Sequence, residues 1–229
     1  MENLELLNKI LLSANVTENF HKHYAQNDEF KTWLLGILPQ IEDCKNQEQN
    51  NPWHKYNVLD HILHSVEEMN KQTKDLPEKT KRLLAYSMFY HDIGKPKCHI
   101  VREKNGVMID SFFNHNIESA NVVGETASQF GFGEDEIQKL QQLVLKHDAF
   151  MNLRLFPTSN PYLSQLTPEV VDAEIEYFNA FGDGRELLEY LLMIGKSDNL
   201  AQNEKMTADS LKLLETFKSM LESKQKTMQ

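Results

Sequence analysis

Apolar residues recur along this chain at intervals of three and four far more than at intervals of two, a spacing that predicts helices. Up to about residue 45, "LELLNKILLSANV" and "EFKTWLLGILPQIED" give two or three amphipathic helices; the polar stretch "CKNQEQNNPW" after them reads as a loop. A helix over 58–72 places Val58, Ile62, Ser65 and Met69 near one face and turns His61 and His64 onto an adjoining one. The next helix opens at Pro77 and stops against Gly94 and Pro96, which puts His91 and Asp92 on its last turn. In "HIVREKNGVMIDSFF" short β-favouring runs flank Asn105-Gly106, the signal for a two-residue hairpin. Helices then follow at about 115–130, 134–149, 167–181, 184–202 and 207–224, the fourth opened by the capping-box spacing of Asp183 and Glu186.

The pattern predicts an all-α protein with a small β-hairpin inserted after His91-Asp92. Three regions are expected: an N-terminal helical extension over 1–50, a main domain over 51–205 and a C-terminal helix over 206–229 packed on it. At 229 residues and 40% hydrophobic the chain can bury a full core without staples. Two cysteines, Cys44 and Cys98, are too few for a disulfide framework, and the first residues carry acids where a signal peptide carries bases, so a cytoplasmic protein is expected. No apolar run approaches the ~18 residues of a membrane span. A formal net charge of −10 argues against broad binding of duplex nucleic acid, so a phosphorylated ligand would be held by a local site.

The candidate chemistry lies in the histidines and aspartates. Imidazole nitrogens and carboxylate oxygens both suit divalent first-row ions, and one aspartate can bridge two ions because its oxygens point different ways. Adjacent His91 and Asp92 cannot both face one core from a helix, but both can embrace an ion beyond the helix end, where Gly94 turns the chain away. Lys95, just past them, is placed to neutralise charge on a phosphoryl oxygen. The plain alternative is a helix end that uses His91 against the dipole and Gly94 to stop.

The motif "HDIGKP" resembles the signature of the HD superfamily of metal-dependent phosphohydrolases, an order of H, HD and D extended in many members by two further histidines. The elements here are His61 in "YNVLDHILHS", His91-Asp92, His115 in "FFNHNIESA", His147 in "LVLKHDAF" and Asp198 in "IGKSDNLAQN". More narrowly, "WHKYNVLDH", "HDIGKP", the Asn-Gly hairpin and "SDNLAQ" are similar to the HD domain of bacterial CCA-adding tRNA nucleotidyltransferases. Residues 1–50 lack that family's paired-aspartate polymerase head. The resemblance implies an HD-type helical bundle and one or two divalent ions (Mn, Fe, Co, Ni, Zn or Mg), with His61, His91, Asp92 and Asp198 on the first and His115 and His147 on a second bridged by Asp92. It implies Asp92 and Lys95 as catalytic residues in hydrolysis of a nucleotide, a cyclic nucleotide or an RNA terminus. A non-catalytic binder of nucleotides or RNA ends, and a subunit partnering a separate nucleotidyltransferase, are the alternatives, with homodimerisation left open. His54, Tyr56, Arg102 and Arg154 are expected near a substrate phosphate; Asp148 is read as a supporting or solvated acid, and His64 as a packed or supporting histidine.

Overall fold

The computed structural model describes residues 1–227, with side chains as far as Lys224, and contains eleven α-helices. Four short helices come first: α1 (Glu2–Leu11), α2 (Val16–Gln26), α3 (Asp28–Ile37) and α4 (Gln40–Asn46). The pattern predicted two or three here; Leu38-Pro39 separates α4 from α3, because proline fixes φ and its lack of an N–H suits a helix start. Next come α5 (Val58–Gln72) and α6 (Glu78–Tyr90), then the hairpin strands β1 (Ile100–Lys104) and β2 (Val107–Ser111). The remaining helices are α7 (His115–Thr126), α8 (Glu134–Leu145), α9 (Pro168–Asn179), α10 (Gly184–Leu200) and α11 (Glu204–Thr227). Two-residue strands, Leu153–Arg154 and Ser164–Gln165, pair in parallel across a loop. Side-chain caps fix three helix starts: Asn27 accepts from the Phe30 amide, Asn57 from that of Asp60 and Asp183 from that of Glu186.

The centre of the protein is α6. Every residue from Leu83 to Tyr90 is buried, so this half of the helix is enclosed on all sides, by α1, α5, α7, α8 and α10. Its aromatics Tyr86, Phe89 and Tyr90 are no more than 1% exposed, and burying a side chain of this size stabilises by ~1.5–3 kcal/mol. Their polar ends are satisfied: Tyr86 donates to Asn8 Oδ1 and Tyr90 pairs with Thr126. Arg82 caps the cluster, stacked 4.0 Å over Phe132 with its guanidinium donating to the Phe130 carbonyl. Buried apolar residues form one continuous cluster from Leu7 to Leu221.

The hairpin forms where Asn-Gly predicts it, with positive φ at Asn105 and Gly106 as a type I′ turn requires. It is clasped by residues 47–57, a strap between α4 and α5. Asp110 accepts from the Asn50 amide at 2.7 Å, from Asn50 Nδ2 at 3.0 Å and from His99 Nε2 at 2.8 Å. Trp53 is half-buried at the strap's surface with Lys104 Nζ 4.5 Å above its ring. Among the described residues no helix is long and apolar enough to cross a membrane.

The helix ends differ from the pattern in one way that bears on function. α6 stops at Tyr90, so His91 and Asp92 lie in tight turns beyond it, closed by Ile93 N to Tyr90 O and Lys95 N to Asp92 O, rather than on its last turn. α8 stops at Leu145 rather than near 149, which leaves His147 and Asp148 in a similar turn. The first turn packs directly on α7: a Cβ on Gly94 would lie 2.6 Å from the His115 carbonyl oxygen and 2.7 Å from the Ser119 amide nitrogen. Gly94→Ala is expected to cost ~1–3 kcal/mol through overpacking, read as a fall in Tm of ~2–10 °C. An unchanged Tm in a thermal melt would remove this close approach as the reason for glycine.

Candidate metal centre

Five elements converge beside the two turns. α5 contributes His61, the turn after α6 His91 and Asp92, the first residue of α7 His115, the turn after α8 His147, and α10 Asp198. All of these but Asp198 are at most 8% exposed. Three of the histidines are oriented identically. His91 Nδ1 contacts the Met88 carbonyl at 2.6 Å, His115 Nδ1 that of Phe112 at 2.7 Å and His147 Nδ1 that of Val144 at 2.7 Å. Each Nδ1 therefore carries the proton donated to a carbonyl three residues back, and in the neutral ring each Nε2 presents a lone pair to the interior.

Those lone pairs meet. His91 Nε2 lies 3.3 Å from His61 Nε2, and His115 Nε2 lies 3.1 Å from His147 Nε2. Asp92 reaches both pairs: Oδ2 is 3.2 Å from His61 Nε2 and 3.3 Å from His91 Nε2, while Oδ1 is 3.1 Å from His115 Nε2 and 3.6 Å from His147 Nε2. Asp198 Oδ1 completes the first group, 2.9 Å from His61 Nε2 and 3.7 Å from His91 Nε2. Donors about 2.1 Å from a shared first-row ion lie ~3.0–3.4 Å from one another, so these spacings fit a cation between them. The groups His61-His91-Asp198 and Asp92-His115-His147 can each hold a metal ion. The buried His61 Nδ1 has no hydrogen-bond partner among the described residues, so its orientation comes from packing and from the aromatic edges of His54 and His91 at centroid distances of 5.1 and 5.3 Å.

The electrostatics indicate a space that demands positive charge. Burial would lower the affinity of His91 for a proton, but Asp92 and Asp198 outweigh it and push His91 up to about 10. Burial likewise opposes ionisation of Asp92 and Asp198, yet both are held well below the usual carboxylate range, Asp92 by His91 and Lys95 and Asp198 by the neighbouring imidazoles of His61 and His91. His147 is raised in the same manner, burial being outweighed by Asp148 and Asp92. A cation taking this place must displace the proton that these carboxylates favour on His91.

Lys95 does not project past the donors as its position in "HDIGKP" suggests. It is 5% exposed and turned back, with Nζ 2.6 Å from Asp92 Oδ2, an ion pair off the hydrogen-bonding direction. Nζ also contacts Gln49 Oε1 at 2.9 Å and His54 Nε2 at 3.1 Å. His54 donates from Nδ1 to Asn51 Oδ1 at 2.9 Å, which leaves Nε2 as the acceptor for Lys95. Burial, and then the Lys95 charge, lower His54 to about 2, so this imidazole is neutral.

Of the four residues expected near substrate, only His54 is in this assembly, where it forms a third group with His61 and Asp92. Tyr56 is turned away, packed on His64 at 4.3 Å between centroids. Arg102 is tied to Ser111 Oγ at 2.7 Å and lies over Phe113, and Arg154 donates to the carbonyls of Met151 and Leu153 in its own turn. Each arginine thus has a partner at hand, Arg102 across the hairpin and Arg154 within its own turn. Gln49 is a site neighbour that the sequence reading did not name; Asp148, read there as a supporting or solvated acid, has Oδ2 3.2 Å from His115 Nε2. No protein-family model and no curated protein matches the chain.

A cation-demanding cavity predicts that divalent ions stabilise the protein. Saturation at 100 times Kd adds ~2.7 kcal/mol, a rise in Tm of ~5–10 °C for this length. Mn2+, Co2+, Ni2+ or Zn2+ should give that rise on metal-free protein, EDTA should reverse it, and it should shrink towards pH 5, where protons compete for the imidazoles. His91→Ala should abolish most of the effect. A Tm indifferent to every one of these ions would dismiss the cluster as a cation site.

Proposed function

We propose that this chain is a divalent-metal-dependent phosphohydrolase of the HD type, cleaving a phosphoester of a nucleotide, a cyclic nucleotide or an RNA terminus. The observation that carries the reading is the division of the Asp92 carboxylate, one oxygen towards His61 and His91 and the other towards His115 and His147. Two cations sharing one carboxylate are the arrangement suited to displacement at phosphorus, which also agrees with the motif order in the sequence. When bound, such ions lower the pKa of a water molecule and draw charge from phosphoryl oxygens.

The side chains of the chain supply binding and orientation. His91, His115 and His147 are locked in one tautomer by their carbonyl partners, so no reorganisation is needed for Nε2 to act as a donor. Asp92, buried against Lys95, fixes the spacing of the two halves. Lys95 is the cation for the phosphoryl group: exchanging Gln49 Oε1 or His54 Nε2 for a phosphoryl oxygen frees one N–H without disturbing its ion pair with Asp92. Burial of the whole array strengthens each of these interactions over its value in water.

A screen of mononucleotides, 2′,3′-cyclic nucleotides and bis-p-nitrophenyl phosphate on metal-loaded protein tests the reading. Cleavage is expected, abolished in Asp92→Ala and reduced ~100–1,000-fold in kcat in Lys95→Ala, as for loss of one preorganised donor. Cleavage undiminished in His91→Ala and Asp92→Ala would overturn it, and tight metal binding with no cleavage of any phosphoester would favour a nucleotide-binding role instead.

A further inference from the structure

Asp148 follows His147 as Asp92 follows His91, and both pairs sit in turns just past a helix end. Its carboxylate straddles the second pair of histidines: Oδ2 is 3.2 Å from His115 Nε2 and Oδ1 is 3.6 Å from His147 Nε2. Neither imidazole has an N–H free to hold it there as neutral rings, because both Nδ1 protons are donated to the Phe112 and Val144 carbonyls. Two nitrogen lone pairs, Asp92 Oδ1 and the Asp148 oxygens thus converge with no neutral donor among them.

The first group resolves the same problem in a recognisable way. There two imidazoles, one Asp92 oxygen and one further carboxylate, Asp198, face a common point. In the second group Asp148 stands where Asp198 stands in the first. We propose that Asp148 is the fourth donor of the second cation site, so that each ion is held by two imidazoles, one oxygen of the shared Asp92 and one carboxylate of its own. The inference rests on the two-cation reading above and adds to it a ligand and an asymmetry. Asp148 has 26% of its side chain exposed against 14% for Asp198, so the second ion lies on the solvent side and exchanges more readily.

Equilibrium dialysis and calorimetric titration of the metal-free full chain with Co2+, the d–d absorption recorded in parallel, test this without any substrate. Wild type is expected to bind two ions, the second more weakly. Asp148→Asn, nearly isosteric, is expected to weaken that second ion at least tenfold and leave the first unchanged, whereas Asp198→Asn should weaken the tight ion. Metal-free circular dichroism and Tm identify any variant that fails to fold. Two undiminished sites in both Asp148→Asn and Asp148→Ala, with the second ion lost from His115→Ala, would overturn the assignment of Asp148 and leave the two-cation reading standing. One ion in wild type, unaltered in Asp148→Asn, would overturn it as well, and no ion in wild type would overturn both.

Discussion

The Asp92 carboxylate is the constraint on which the rest of this structure turns. It is 2% exposed and has four imidazole nitrogens and one ammonium within 3.6 Å. A buried carboxylate is costly unless charge and hydrogen bonds surround it, and its neighbours would be as costly without it. The histidines come from α5, α7 and the turns after α6 and α8, so the packing of four helices is tied to one side chain. An apolar core tolerates shifts of a few tenths of an ångström; a set of donors aimed at a common point does not.

Helix ends are what make such precision attainable. The last carbonyls of a helix have no partner in its own ladder, and two of the three oriented histidines use them: Met88 and Val144 lie in the final turns of α6 and α8. The third, His115, opens α7 and uses the Phe112 carbonyl just ahead of it. A histidine one to two residues past a helix end can thus bond backward to a rigid carbonyl and aim its other nitrogen forward. Cys44, buried in α4, supports the first of these turns by donating to the Ile93 carbonyl at 3.7 Å.

Much of this was legible in the residues, and the reason differs by element. The helix over 58–72 and the hairpin at Asn105-Gly106 follow from periodicity and turn chemistry, both local, and the structure has them at those positions. The order of His61, His91, Asp92, His115, His147 and Asp198 named residues that the fold does bring together, since each sits at the edge of a clearly periodic helix. Asp148 was legible only as a supporting or solvated acid, because its position depends on where α8 ends, and the apolar pattern ran on past Leu145. Gln49 and His54 belong to a strap with no periodicity, whose course is set by contacts with the hairpin and with Lys95. Arg102 and Arg154 illustrate the converse: cations near a motif in sequence, one bonded to the facing strand of the hairpin and the other to its own turn.

The strap has a further consequence, for the order of events in folding. Its Asn50 joins Asp110 across 60 positions, and its Pro52 and Trp53 carbonyls accept from Asn203, with Pro52 and Asn203 151 positions apart. Loops of that length are slow to close, since their entropy is lost before the contacts form. Gln49 and His54 reach Lys95 from this strap, so their place beside it depends on the hairpin and on the turn after α10. The ion pair of Lys95 with Asp92, three residues away, needs no such closure, whereas its contacts with Gln49 and His54, 46 and 41 positions away, do.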